Sequence, residues 1–132
     1  MKLVEEIVAR AGEHTLWRRD IHAHPELAYE ENRTADLVAE KLESFGIPIV
    51  RGLGKTGVVG TIKAGKSDRS IGLRADMDAL PLQEMNAFDH RSQHEGVMHG
   101  CGHDGHTTML LAAAEYLAKH QDFDGIVHFI FQ

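Results

Sequence analysis

The chain has 132 residues, 42% of them apolar and 26% charged. That is the balance of one globular domain and excludes a mainly disordered chain. Fourteen basic residues against 20 acidic ones give a formal charge of −6, which argues against general phosphate-backbone binding, and the single cysteine excludes an intramolecular disulfide.

The first 24 residues read as an amphipathic helix. Leu3, Val4, Ile7, Val8 and Ala11 recur at the 3.6 period, and Leu16, Trp17 and Ile21 extend the stripe, with Gly12 as the point of interruption. Glu5 and Glu6 stand where a signal peptide needs an unbroken apolar stretch. Pro25 ends the helix, because the residue before a proline avoids helical geometry. A second helix is expected from Glu31 to Phe45, with Thr34, Leu37, Val38, Leu42 and Phe45 on one face and Gly46 at its C-terminal cap.

The pattern then turns to strands. Ile47–Val50 and Gly57–Ile62 are β-rich, residues 66–69 read as a turn, and Ser70–Ala75 is a third strand. Residues 83–96 lack a period and read as a long loop, a length that is usually functional or mobile. A third helix is expected from Thr107 to His120, and Ile126–Phe131 is a last strand. This order predicts an α/β fold with a mixed sheet flanked by helices. Ending on an apolar strand, such a sheet is expected to present an unpaired edge or face at residues 126–131 and to associate into a homo-oligomer. No apolar run approaches the ~20 residues that span a bilayer. A lone cysteine without a signal sequence points to a reducing, cytoplasmic setting.

Ten histidines are the outlier of the composition, and five fall between His90 and His106. The densest stretch is His99-Gly100-Cys101-Gly102-His103-Asp104-Gly105-His106, which holds three His, one Cys and one Asp. Thiolate, imidazole and carboxylate are the ordinary ligands of zinc and its neighbours, and glycines let several side chains crowd one point. Asp104 or a neighbouring imidazole is a candidate for orienting a ligand from behind. The competing reading is a polar loop that caps the following helix.

Asp76-Met77-Asp78 directly follows a predicted strand. Residues two apart in extended chain point the same way, so two carboxylates face one place at a strand's carboxyl end. That suits a cation, or one carboxylate orienting another group. A turn before Pro81 is the plain alternative. An Asp-x-Asp phosphohydrolase is the lower one, since Leu80 and the mid-chain position both depart from that motif. Gly52-Leu53-Gly54-Lys55-Thr56 is not a phosphate-binding loop, because Ile49 stands where the first glycine belongs and a strand follows instead of a helix. His22 and His24 are read as structural, with histidines near a helix end capping its last carbonyls.

Five stretches occur in a telling order: Arg18–His22, His24–Leu27, Gly54–Gly60, Arg74–Pro81 and Met98–His106. Together they closely resemble the M20 metallopeptidases, in the branch of hippurate hydrolases, N-acyl-amino-acid amidohydrolases and auxin-conjugate hydrolases. The resemblance covers nearly the whole chain. It implies the N-terminal portion of a zinc-peptidase-like catalytic domain over residues 1–132, without the smaller lid or dimerisation domain. It further implies two divalent metal ions (Zn, Mn, Co or Ni) and hydrolysis of the amide bond of small N-acyl amino acid substrates, with neither nucleic acid nor membrane as partner. By the same resemblance, Cys101 and His103 are metal ligands and Asp78 is the acidic residue that orients one. Asp76 stands where other branches carry a ligating histidine and receives no role. The family's catalytic glutamate and a ligating glutamate follow the strand at residues 126–132, so this chain by itself is expected to be inactive. A stand-alone remnant that binds metal or a partner without catalysis is the alternative.

Overall fold

The computed structural model describes residues 3–132. The elements are α1 (Glu5–Ala9), α2 (Ala11–Ala23), α3 (Asn32–Ser44), β1 (Ile49–Leu53), β2 (Gly57–Ala64), β3 (Ser70–Ala75), α4 (His103–Lys119) and β4 (Gly125–Phe131). The four strands form one mixed sheet in the order β1-β2-β4-β3, with β3 and β4 parallel and the other neighbours antiparallel. The expected α/β architecture with a mixed sheet is therefore present. No helix among the described residues is long and apolar enough to cross a membrane.

The N-terminal helix departs from expectation. It breaks at Arg10, whose backbone sits at φ −96° and ψ 5°, and not at Gly12. Only part of the apolar stripe faces inward: Trp17 and Ile21 are buried, whereas Leu16 is 64% exposed. The inward face of α2 is completed by His14 and His22, both buried. Polar residues thus hold positions that a hydropathy pattern assigns to solvent, and the true stripe runs 14, 17, 21, 22.

Helix α3 follows its pattern closely, burying Thr34, Ala35, Val38, Ala39 and Leu42. Gly46 at φ +76° supplies the left-handed residue that closes its C-terminus. Its N-terminus has no local side-chain cap. Instead the Glu26 carboxylate accepts hydrogen bonds from Arg33 N at 2.9 Å, from Thr34 N at 2.8 Å and from the Thr34 hydroxyl at 2.9 Å. A negative group at a helix N-terminus meets both the orphan N–H groups and the positive end of the helix dipole.

The last strand is not an edge. β4 pairs with β2 along Val58↔Phe131 to Ala64↔Gly125 and with β3 along Ser70↔Ile126 to Ala75↔Phe131. The α4 crossover carries the chain back so that β4 lies between two strands that precede it in the chain, which leaves β1 and β3 outermost. The unpaired edge expected at residues 126–131 is thereby corrected, whereas the strand's outward face, with Ile126 and Ile130, is only half-buried. The alternate residues Val127, Phe129 and Phe131 are buried. They join Leu42, Val38, Val58, Met77 and Leu111 in a core between sheet and helices. Close approach of α3 to β2 is permitted by Gly60, where a Cβ would lie 3.1 Å from Ile47 Cγ2 and 3.2 Å from Leu42 Cδ1.

Between β3 and α4 the chain runs without regular elements, pinned by bridges Leu27↔Ala79 and Leu80↔Met98. The expected loop at 83–96 lies inside this segment. Glu84, buried, anchors it by accepting from Ser92 N and Asn86 Nδ2.

Candidate metal centre

The carboxyl end of β3 and the start of α4 build the site together. Helix α4 begins at His103, four residues before the expected Thr107. Gly102 makes this possible: at φ +86° it turns the chain sharply into the helix. His103 and His106, three residues apart, then share one helical face. The first carboxylate past β3 lies opposite them.

His103 Nδ1 lies 2.8 Å from Asp78 Oδ1 and 2.8 Å from the Asp78 carbonyl oxygen. Two acceptors on that nitrogen assign its proton to Nδ1 and leave the Nε2 lone pair free. Nε2 points to Asp76 Oδ2, 3.6 Å away. His106 Nδ1 lies 2.7 Å from Asp76 Oδ1. The two imidazole rings stack at 5.4 Å between centroids. One ligand atom each from Asp76, His103 and His106 falls within 4.8 Å of the others, a separation that one ion can bridge. Burial pushes the Asp76 carboxyl up, but the hydrogen bond from His106, helped by a backbone hydrogen bond, outweighs it and holds it below the ordinary range.

The sequence-derived candidates are distributed as follows. His103 is in the cluster. Asp78 sits behind it on the far ring nitrogen, the placement of a residue that orients a ligand. Cys101 is exposed, on the turn before α4, and is not one of the three clustered donors. Asp76, left without a role, is a donor of the cluster, and so is His106. Starting α4 at His103 is the signal that reveals His106, through the three-residue spacing on one face.

Behind the site lies a second, buried group. Asp104 Oδ2 accepts from His22 Nδ1 at 2.9 Å and from Arg18 Nε at 3.1 Å. The other nitrogen of His22 is 3.1 Å from Glu84 Oε1. Both contacts are hydrogen bonds only when both ring nitrogens carry protons. Burial raises Asp104, yet the bonds from His22 and Arg18 prevail and its carboxyl lies below the ordinary range. Glu84 is likewise raised by burial and lowered more by Ser92, Asn86 and His22, ending at about 2. The Asp104 carboxylate makes no hydrogen bond to His103 or His106 among the described residues. His24 bonds the Asp20 carbonyl through Nδ1 at 2.8 Å, the cap expected of it.

Fold and cluster together define the class: an α/β protein with imidazole and carboxylate donors gathered beyond the carboxyl end of a sheet strand, where open α/β sheets place their chemistry. Residues 72–132 match the model for peptidase family M20/M25/M40. The hippurate hydrolase of Campylobacter jejuni is 54% identical over 132 residues, covering 100% of this chain and 34% of that protein. The N-acyl-L-amino acid amidohydrolase of Geobacillus stearothermophilus is 47% identical over 117 residues, covering 88% of this chain and 32% of that one. The Bacillus subtilis YXEP structure, described as a dinuclear metal binding peptidase of the M20 family, superposes with a TM-score of 0.90 at 38% identity, over 95% of this chain and 36% of that one. Over residues 72–132 the chain thus matches the M20 family. It spans about a third of the length of these curated relatives.

Proposed function

We propose that this chain supplies part of the catalytic domain of a metal-dependent amidohydrolase that cleaves the amide bond of N-acyl amino acids, hippurate-like compounds among them. The observation that carries the proposal is the two-sided hold on His103, with Asp78 on Nδ1 and the Asp76–His106 pair before Nε2. The named activities of the relatives supply the substrate class.

The donor set fits a divalent ion. Two imidazoles and a carboxylate suit zinc, cobalt, nickel or manganese, and Asp78 fixes the ring and tautomer of His103 as a ligating histidine requires. Asp76, His103 and His106 would hold one ion, and Cys101, close by in sequence, is assigned by family resemblance to the same two-metal centre. Bound divalent ions supply Lewis-acid polarisation of an amide carbonyl and lower the pKa of coordinated water. Asp78 contributes by keeping a proton on Nδ1, so that Nε2 stays available as a donor of electrons. Asp76 holds His106 by its Nδ1 and contributes negative charge beside both imidazoles. The general base and the remaining ligands come from outside residues 1–132, so the isolated chain binds metal without turning over substrate. Cytoplasmic residence and self-association belong to the same proposal.

Equilibrium dialysis against Zn2+ and Co2+ tests it. The chain is expected to retain metal, and His103→Ala to lose it by a factor of about ten or more. Equal retention by the two proteins would overturn the assignment of the centre. Release of benzoate from hippurate by the isolated chain with Co2+ or Mn2+ would overturn the placement of the remaining chemistry outside it.

A further inference from the structure

Helices α2 and α4 are joined by two clamps of the same construction. At one end Arg10 Nε and His14 Nε2 reach Glu115 Oε2 at 3.0 and 3.3 Å. At the other, Arg18 Nε and His22 Nδ1 reach Asp104 Oδ2 at 3.1 and 2.9 Å. In each, an Arg and a His four residues apart close on one carboxylate. Asp104 and Glu115 are eleven residues apart, close to three turns, and so lie on one face of α4. Both carboxylates are buried, Asp104 to 1% exposure and Glu115 to 6%. The clamps differ in their surroundings. The one at Glu115 holds the body of the helix. The one at Asp104 grips the first turn, at the residue between His103 and Gly105.

That position has a geometric consequence. The first turn has no side-chain cap and enters through a left-handed glycine, so its rotation relative to the sheet is held by contacts outside the helix: the Thr107 hydroxyl, donating to the Asp76 carbonyl at 3.0 Å, and the Asp104 clamp. Rotation is what aims His103 and His106. A turn misaimed by one residue swings a side chain by about 100° and takes both rings away from Asp76 and Asp78. From these observations we infer that Asp104, held by Arg18 and His22, is a positioning residue for the His103–His106 pair, while the equivalent clamp at Glu115 serves packing alone. The inference rests on the proposed metal centre for its purpose, but the aim of the rings exists with or without metal.

The test compares Asp104→Asn, Arg18→Gln and Glu115→Gln with the parent chain. Two readouts are taken on each folded protein: Co2+ affinity with its visible absorption spectrum, and the ring 15N signals of His103 in metal-free protein. The parent is expected to show His103 as a single Nδ1–H tautomer. Asp104→Asn is expected to mix the tautomers, weaken Co2+ binding about tenfold or more and alter the absorption bands. Arg18→Gln removes an arm that is largely exposed and leaves the buried pair in place, so it shifts the same readouts to a smaller extent and decides the matter even where Asp104→Asn does not fold. Glu115→Gln is expected to lower the unfolding midpoint with both readouts unchanged. Parent-like tautomer and Co2+ binding in the Asp104 and Arg18 variants would overturn the inference, as would equal effects from Glu115→Gln. A parent chain that binds no Co2+ would sink the metal centre, and the metal-free signals would still decide whether Asp104 positions His103.

Discussion

Replacing Glu84 by Gln isolates one buried carboxylate without changing its shape. Glu84 is 8% exposed and takes three donors on two oxygens: His22 Nε2 at 3.1 Å and Asn86 Nδ2 at 3.0 Å on Oε1, and Ser92 N on Oε2. A glutamine offers one oxygen and one NH2 group, so at least one of these donors must face another donor. A carboxyl held at about 2 in the folded chain, against an ordinary 4.5, contributes about 3 kcal/mol of stability. Its pKa is depressed on folding, so that contribution is present in full above pH 4.5 and is lost as the pH falls toward 2. Glu84→Gln is therefore expected to cost about 2–3 kcal/mol near neutrality. The gap between variant and parent should narrow steadily as acid protonates the parent's carboxylate. Urea unfolding followed by circular dichroism, repeated from neutral to acid pH, measures both. A neutral-pH loss below about 0.5 kcal/mol, or a gap of constant size down to the acid end, would refute the reasoning.

Two further perturbations probe the frame that carries the site. Phe129→Ala empties a fully buried position in the central strand and is expected to cost about 3–5 kcal/mol in denaturant unfolding; a loss under about 1 kcal/mol would mean that β4 does not lie between β2 and β3. Glu26→Ala strips the N-terminus of α3 of its only side-chain acceptor among those described and leaves the buried Thr34 unpaired, for an expected loss of about 1–2 kcal/mol, and protection of the Thr34 amide in hydrogen exchange that matches the parent would contradict that role.

Elements governed by local rules could be read from the sequence. α3 needed only an apolar face and a closing glycine, and both are strong local signals. β3 needed a short β-rich run between a turn and Asp76, and its bounds agree with the reading. What escaped was set by partners distant in sequence. The inward face of α2 is defined by carboxylates on α4, more than eighty residues away, so a hydropathy count misplaces His14, Leu16 and His22. The central place of β4 depends on its pairing with β2 and β3, both distant in sequence. An edge strand and a centre strand look alike when each is a short, mainly apolar run, as β4 is.

The site shows the same division more sharply. Asp76 and Asp78 were found together because a strand's two-residue period is local. The crowding of glycine, thiol and imidazole marked the stretch from His99 to His106, but the choice of Cys101 and His103 within it came from the family resemblance, and of these two only His103 lies in the donor cluster. His106 stood in that same stretch but received no role of its own, for want of four residues of helix. Composition reads Gly100-Cys101-Gly102 as loop and carries that loop forward to Thr107, whereas the left-handed Gly102 starts the helix at His103. Nothing apolar marks that turn. Its inward residue is Asp104, an acid whose burial makes sense only once Arg18 and His22 are seen to meet it. The same ionic contacts that hide α2's inward face from a hydropathy reading therefore also hide the start of α4. On this account, the polar residues between helices determine where the donors point, and the apolar core determines only that the two helices lie side by side.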